Sequence, residues 1–205
     1  AVFTLPLMSS FSTATALMML VDEGKVRLDD PVSAYLPEFR DQWLVASVDD
    51  EQMRLKKPSQ PLLVRHLLNH TSGMPFASAV EQPTRDRLPL RQAVRSYALP
   101  PLEAEPGTRY LYSNAGINTA GAIIEELGGL PYEAFLQQRL FDPLNLKDTT
   151  FWPTRAQQAR QVLGRKDEER HHGDHQDFAP ANLKHSESVR RCAGAQRAGP
   201  DPPRG

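Results

Sequence analysis

The sequence predicts a mainly helical α+β fold on three observations. Apolar residues recur at helical spacing in several segments of the first 154 residues. Glycine or proline stands at the ends of these segments, as is typical of helix boundaries. A strand pattern is visible only as a possible short strand at residues 2–5. With 40% hydrophobic residues, the 205-residue chain can build a core, so wholesale disorder is not expected.

The first predicted helix begins at a cap formed by Ser12 or Thr13 and ends at Glu23, where Gly24 supplies the left-handed residue. Four of its apolar residues follow helical spacing and form a stripe, and two apolar neighbours widen that stripe. We therefore expect a helix that is buried on most sides. These residues are Ala14, Leu17, Met18 and Val21, with Met19 and Leu20 beside them.

Shorter elements, separated by prolines and charged stretches, are predicted in the middle of the chain. Proline interrupts helices, and charged stretches favour the surface. In chain order, these elements are a short helix at 32–36, a surface excursion at 40–58, a short helix at 62–69, and a proline-rich loop at 74–109 with one helix near 90–98.

Two further helices are predicted before residue 141. The first ends at Gly128-Gly129, and Pro131 suits the first turn of the second, which covers residues 132–140. The expected buried residues are Ile117, Ala120, Ile124 and Leu127 in the first helix, and Phe135, Leu136 and Leu140 in the second.

Residues 155–205 differ in composition from residues 1–154. The 155–205 segment carries ten Lys+Arg and seven Asp+Glu but only five large apolar residues. So few apolar side chains can hardly offset the entropy lost in ordering some fifty residues. We therefore predict a folded region at 1–154 and a polar, disordered or unrelated tail at 155–205.

The charge and cysteine content exclude several classes of function. The 24 Lys+Arg and 25 Asp+Glu nearly balance, which argues against broad binding to nucleic acid or to an anionic membrane. The single cysteine, Cys192, rules out an internal disulfide and a four-cysteine zinc site. The longest apolar run, residues 16–21, is far too short to span a bilayer. No signal peptide is visible in the chain, although one can lie upstream of Ala1.

The stretch from Pro106 to Gly116 is the most informative for chemistry. In it, Tyr112-Ser-Asn114 directly precedes a predicted helix. A phenol and a carboxamide two residues apart can exchange a proton and make hydrogen bonds on one side of a loop. Taken alone, the same residues fit a structural role better, with Asn114 capping the helix and Tyr112 packing beneath it.

Six segments in order resemble those of one enzyme superfamily. They are Met18-Met-Leu-Val-Asp-Glu-Gly-Lys25, Leu28-Asp-Asp-Pro-Val32, Tyr35-Leu-Pro-Glu-Phe39, His66-Leu-Leu-Asn-His-Thr-Ser-Gly73, the Pro106 stretch, and Phe141-Asp-Pro-Leu-Asn-Leu146. Over residues 2–154 the chain closely resembles the serine β-lactamase superfamily. The nearest part is the class C branch with its related carboxylesterases and D-alanyl-D-alanine carboxypeptidases.

The resemblance implies acyl transfer from an ester or amide substrate to a serine and then to water, without a metal or cofactor. In that mechanism the serine of a Ser-x-x-Lys box attacks the carbonyl, and the lysine lowers the proton affinity of the serine. The tyrosine of a Tyr-x-Asn box moves the proton, and its asparagine holds the substrate amide. Tyr112 and Asn114 match this box. A bacterial envelope or secreted setting is also implied by the resemblance alone.

The Ser-x-x-Lys box is not matched. Counting back without gaps from Gly24 places the nucleophile position at Leu7 and the lysine position at Ser10. A leucine cannot attack a carbonyl, and a serine cannot supply an ammonium charge. Ser9, Ser10 and Ser12 are nearby hydroxyls, but no lysine stands three residues after any of them.

The third box of the family, Lys-Thr-Gly or His-x-Gly on a late strand, is missing as well. We therefore expect the helical portion of a β-lactamase/transpeptidase-like fold with most of its antiparallel sheet missing. A partial or altered gene product, in which an internal segment is followed by unrelated residues, would account for this. The expected activity is little or no hydrolysis, and the alternatives are a non-catalytic binding module or a fragment without function.

Other candidate groups favour structural or incidental roles. The segment His171-His-Gly-Asp-His175 contains a glycine and lies in a polar tail, so nothing fixes its histidine side chains in the geometry that a metal ion needs. We therefore predict no metal site there. His70 and Ser72 lie in one loop, where adjacent residues rarely align a base with a nucleophile, and the resemblance makes this box structural. Cys192 is expected to be an incidental thiol.

Overall fold

A computed structural model describes residues 8–81 and 88–160 of the chain. Of the described residues, 8–45, 56–81 and 88–160 belong to one compact unit, and 46–55 belong to a second. The possible strand at 2–5 and most of the predicted tail lie outside the described residues. The boundary at residue 154 therefore stays a prediction.

The described residues are mainly helical with one two-stranded sheet, which confirms the predicted α+β composition. The α-helices are α1 (Met8–Asp22), α2 (Val64–Leu68), α3 (Leu90–Tyr97), α4 (Asn114–Gly128), α5 (Tyr132–Leu136) and α6 (Arg155–Ala159). The strands are β1 (Leu44–Val48) and β2 (Met53–Lys56). Short 3-10 helices lie at Val32–Ala34, Pro37–Phe39 and Ala79–Glu81, and a π-helix at Gln137–Phe141.

Helix α4 lies at the centre of the first unit, where it packs against α1, α2, α3 and α5. Its sequence is rich in glycine and alanine, and small side chains let neighbouring helices approach closely. Gly121, for example, leaves room for Leu90 and the Tyr132 ring. The predicted apolar face of α4 is confirmed, because Ile117, Ala120 and Ile124 are buried and Leu127 is partly buried.

Two predictions about α1 are wrong. The helix begins at Met8 instead of after Ser12 or Thr13, and its buried face differs from the predicted stripe. Met18 is 39% exposed, and Phe11 is 70% exposed. Because residues 16–21 are all apolar, their periodicity cannot select a face, and packing against α4 selects it instead. The buried residues on the selected face are Thr13, Ala16, Leu17 and Leu20.

The predicted surface excursion at 40–58 contains the hairpin of β1 and β2, which the sequence pattern does not reveal. Backbone hydrogen bonds at 2.7 and 2.9 Å join Leu102 to Trp43 and Val45, so the start of β1 also has a partner distant in sequence. Leu44 is accordingly buried. The residues of β2 are mostly exposed, as expected for a surface segment.

The remaining helices lie close to their predicted positions. Helix α3 and the short α2 fall within the predicted ranges, whereas the helix expected at 32–36 is a single 3-10 turn. Pro131 is the N-cap of α5 and not part of its first turn. The helix predicted through residue 140 is divided into α5 and the π-helix. None of the helices in the described ranges is long and apolar enough to cross a membrane.

Candidate active site

Ser113 positions the candidate site at the N-terminus of α4. Its backbone is extended, and its Oγ accepts a hydrogen bond from the Gly116 N–H at 3.1 Å. The same hydroxyl donates to the Pro75 carbonyl at 2.8 Å, so a fully buried serine joins the helix to the distant segment that contains Pro75. The structural alternative for Asn114 is therefore wrong. Ser113 is the cap, and Asn114 is the first, exposed residue of the helix.

Tyr112 lies at the surface, against other rings and not beneath the helix. Its ring centroid is 4.5 Å from that of His70 at an interplanar angle of 31°, and 6.1 Å from that of Phe76. The side chain is 36% exposed. Within the described ranges, no hydrogen bond engages the Tyr112 phenol or the Asn114 amide, so both groups can meet a ligand.

The His70-Thr-Ser-Gly73 loop supports the Tyr112 loop through its backbone. Carbonyl groups of His70, Thr71 and Gly73 accept hydrogen bonds at 2.7 Å from the N–H groups of Leu111, Gly107 and Glu103, respectively. A Cβ at Gly73, where φ is +72°, would overlap the carbonyl group of Ala104. These contacts agree with the structural role expected for this box.

His70 and Ser72 do not form a base and nucleophile pair. The Ser72 Oγ accepts a hydrogen bond from the Met74 N–H at 3.2 Å. The His70 Nδ1 instead accepts from the Ser113 N–H at 3.3 Å. Sequence reasoning missed this contact between His70 and the candidate site, because only the fold brings residues 70 and 113 together.

Burial lowers the pKa of His70, and no charged neighbour contributes to the shift. The pKa of the buried His66 is also lowered, first by burial and then by the Arg65 charge. The His66 Nδ1 accepts a hydrogen bond from the Leu63 N–H at 3.2 Å, which secures the start of α2. Both lowered pKa values favour the neutral imidazole, the form that can accept such a bond.

The hydroxyl side chains of α1 lie in different surroundings. Ser10, at the expected lysine position, lies partly buried in the first turn of α1, whereas Leu7 falls outside the described residues. Ser12 and Thr13 both hydrogen-bond the Tyr132 hydroxyl, with 2.5 Å between the Thr13 and Tyr132 oxygens. Burial raises the pKa of Tyr132. In the described ranges, no hydrogen bond joins Ser10 to the Tyr112 loop.

Within the described residues, neither a metal site nor the cavity lined by Leu62 and Leu102 involves Tyr112 or Asn114. No group of three or more His, Cys, Asp or Glu residues in the described ranges could hold a metal ion. The cluster at 171–175 and Cys192 fall outside those ranges. A cavity of about 270 Å³ is lined by Ser33, Phe39, Arg40, Asp41, Gln42, Lys57, Pro58, Ser59, Gln60, Pro61, Leu62 and Leu102.

Taken together, the site is a preformed loop that presents a phenol and a carboxamide at the N-terminus of a central helix. Such groups can donate and accept hydrogen bonds to a carbonyl compound, and the phenol can also transfer a proton.

The chain is similar to several characterised proteins. It is 27% identical to a lovastatin esterase of Penicillium rubens over 74% of this chain and 40% of that protein. It is 32% identical to an N-acetylmuramyl-L-alanine amidase of Bacillus subtilis over 70% of this chain and 31% of that protein. A crystal structure of a beta-lactamase/D-alanine carboxypeptidase from Yersinia pestis superposes with a TM-score of 0.61 at 26% identity, over 79% of this chain and 44% of that one.

The chain thus spans less than half the length of these relatives. The Beta-lactamase family model matches residues 10–193, which is most of the chain and extends beyond the boundary that composition predicts at residue 154. With its helices arranged as in the superposed structure, the chain belongs to the beta-lactamase family.

Proposed function

We propose that this chain carries the helical portion of a serine hydrolase or acyltransferase of the beta-lactamase family and that it has little or no activity of its own. By descent, its substrates are small molecules with an ester or amide bond, and its chemistry needs no metal or cofactor. The names of the similar esterase and amidase support this substrate class. The coverage of less than half of each relative supports a partial fold whose sheet is mostly missing.

The observation that carries the proposal is the packing of α1 against α4. Helix α4 begins at Asn114, directly after Tyr112, and α1 carries Ser10 in its first turn. Two boxes of one catalytic site are thus expected on two packed helices. One box is complete, whereas the other has Leu7 and Ser10 where a serine and a lysine are required.

The missing groups explain the expected inactivity. Leu7 offers no lone pair to attack a carbonyl, and Ser10 carries no charge that would lower the proton affinity of a neighbour. Loss of the nucleophile alone costs about four to six orders of magnitude in turnover in serine hydrolases. Tyr112 and Asn114 would then bind a substrate without cleaving it.

A labelling experiment tests this proposal. The purified full chain is incubated with a fluorophosphonate probe and, separately, with a chromogenic ester or β-lactam. We expect no covalent label and no turnover above the uncatalysed rate, measured by intact mass and absorbance. A Leu7→Ser/Ser10→Lys double variant is the matched arm, and a label confined to position 7 in that variant would support the alignment. A label on Ser9, Ser10 or Ser12 of the unaltered chain, with turnover, would refute the proposal.

A second candidate function, a non-catalytic binding module, is favoured by the exposed phenol and amide on a loop that the His70 segment holds in place. Protection of the fold by an ester or β-lactam, without labelling, would support it. A chain without function of its own is the third possibility, consistent with the exposed Phe11 on α1. A molten chain that binds a hydrophobic dye would support that outcome.

A further inference from the structure

His70 contacts the Tyr112 loop in three ways. Its carbonyl oxygen accepts from the Leu111 N–H at 2.7 Å, and its Nδ1 accepts from the Ser113 N–H at 3.3 Å. Its ring lies against the Tyr112 ring, with 4.5 Å between the centroids. The residues on both sides of Tyr112 and the Tyr112 ring itself are therefore held by one residue.

The backbone of His70 is unusual for a residue with a side chain. Its φ is +56°, in the left-handed region where residues other than glycine cost about 1–2 kcal/mol. Such conformations persist only where surrounding contacts determine them, and they are frequent at functional sites. The contacts that His70 makes in this conformation include those to the Tyr112 loop.

We propose that His70 is a positioning residue for Tyr112, and that protonation of its imidazole breaks the hydrogen bond to Ser113 and so frees the backbone between Tyr112 and Asn114 from the ring. This inference rests on the proposed function of those two residues as ligand-binding groups. It adds a pH-sensitive element to the site, since the bond between His70 and Ser113 requires one protonation state of the ring.

The chemistry follows from the direction of that hydrogen bond. Because the Ser113 N–H donates to Nδ1, the neutral imidazole carries its proton on Nε2. In the imidazolium both nitrogens carry a proton, so Nδ1–H would face the Ser113 N–H, and two donors cannot bond. Protonation therefore removes the anchor next to Tyr112.

The groups around His70 do not oppose this switch. The titratable side chains whose rings face His70 in the described ranges are Tyr110, at 5.7 Å between centroids, and Tyr112. Both are phenols, and no carboxylate contributes to the pKa of His70, which burial alone lowers. The ring is thus neutral at neutral pH and gains its proton only below the ordinary histidine pKa of 6.5.

The test is a pH titration by NMR of the full chain with ¹³C-labelled tyrosine and histidine rings. Spectra are recorded between about pH 4 and pH 8, and a Tyr112→Phe variant assigns the Tyr112 signal. We expect the His70 and Tyr112 signals to shift together, with one midpoint below 6.5, the ordinary pKa of histidine. This measurement requires no altered His70, so it stands even where a substitution at residue 70 prevents folding.

Three variants separate positioning from a general effect on stability. His70→Asn keeps an acceptor and tolerates positive φ but removes the ring, whereas His70→Phe keeps a ring and removes the acceptor. We expect both to abolish the titration of the Tyr112 signal. His66→Asn is the matched control, since His66 also accepts from a backbone N–H but does not contact Tyr112, and it should retain the titration.

The proposal would be overturned if the Tyr112 signal stayed constant while His70 titrated, or if its titration persisted in His70→Asn. Neither result depends on labelling or turnover. A chain that proves active would therefore refute the proposed function while leaving this inference open to its own test.

Discussion

At the scale of single residues, two glycines with nearly the same backbone conformation have different surroundings. Gly24 follows α1 with φ +70°, and a Cβ there would meet no atom within 4 Å. Gly73, with φ +72°, lies in the loop that supports Tyr112, and a Cβ there would lie 2.8 Å from the carbonyl carbon of Ala104. Both positions favour glycine for its backbone freedom, but only Gly73 also requires the absence of a side chain.

We predict that Gly73→Ala lowers the free energy of unfolding by about 2–4 kcal/mol, because left-handed strain and a clash with backbone atoms add together. Gly24→Ala, the matched control, should cost about 1 kcal/mol from strain alone. Denaturant unfolding followed by circular dichroism measures both. Equal losses in the two variants would contradict the contact between Gly73 and Ala104.

At the scale of elements, α4 connects the core to the candidate site. Its small residues pack against four other helices. Its N-cap Ser113 lies beside Tyr112 and donates its backbone N–H to the imidazole of His70. Asn114 has a different position. It occupies the first turn of α4 with an exposed side chain, which leaves its amide available to a ligand.

We predict that Ser113→Ala lowers the free energy of unfolding by about 1–2 kcal/mol, since it removes the cap of α4 and the bond to the Pro75 carbonyl. Asn114→Ala should change it by no more than about 0.5 kcal/mol. Thermal or denaturant unfolding of both variants provides the comparison. An equal or larger loss for Asn114→Ala would show that Asn114 has a capping role.

At the scale of the whole molecule, stability is expected to depend on pH through two histidines. His66 and His70 have lowered pKa values in the folded chain, so the unfolded chain binds protons more readily. Their contribution is fully present above the ordinary value of 6.5 and is lost as the pH falls from there towards their folded values. Hydrogen bonds from neighbouring side chains lower the pKa values of three carboxyls, those of Glu23, Glu105 and Asp148. These carboxyls affect stability in a more acidic range, below about pH 4.5.

We predict that the free energy of unfolding is nearly constant between pH 7 and 8 and declines between about pH 6.5 and 4.5. A His66→Asn/His70→Asn double variant should show a flatter profile in that window, although its stability at pH 7.5 can be lower. Urea unfolding at several pH values measures the slope. A double variant whose slope matches that of the unaltered chain would assign the pH dependence to other groups.

Features that depend on neighbouring residues were predictable from the sequence. The helix near residues 90–98 and the end of α4 at Gly128-Gly129 follow from apolar spacing and from glycine, which act within one or two turns. The family was also predictable, because six boxes occur in order over residues 2–154. Tyr112 and Asn114 as site residues remain a prediction that rests on the match to one of those boxes.

Features that depend on distant residues were not predictable. The buried face of α1 is selected by α4, the start of β1 pairs with Leu102, and His70 holds a loop some forty residues away. Local pattern determined approximately where most helices form and which family the chain belongs to, whereas the replacement of a reactive pair by Leu7 and Ser10 stays a prediction. Only the tertiary structure decided which face of α1 is buried and that Ser113, not Asn114, caps α4. Burial and hydrogen bonding are completed by partners whose positions no local pattern specifies.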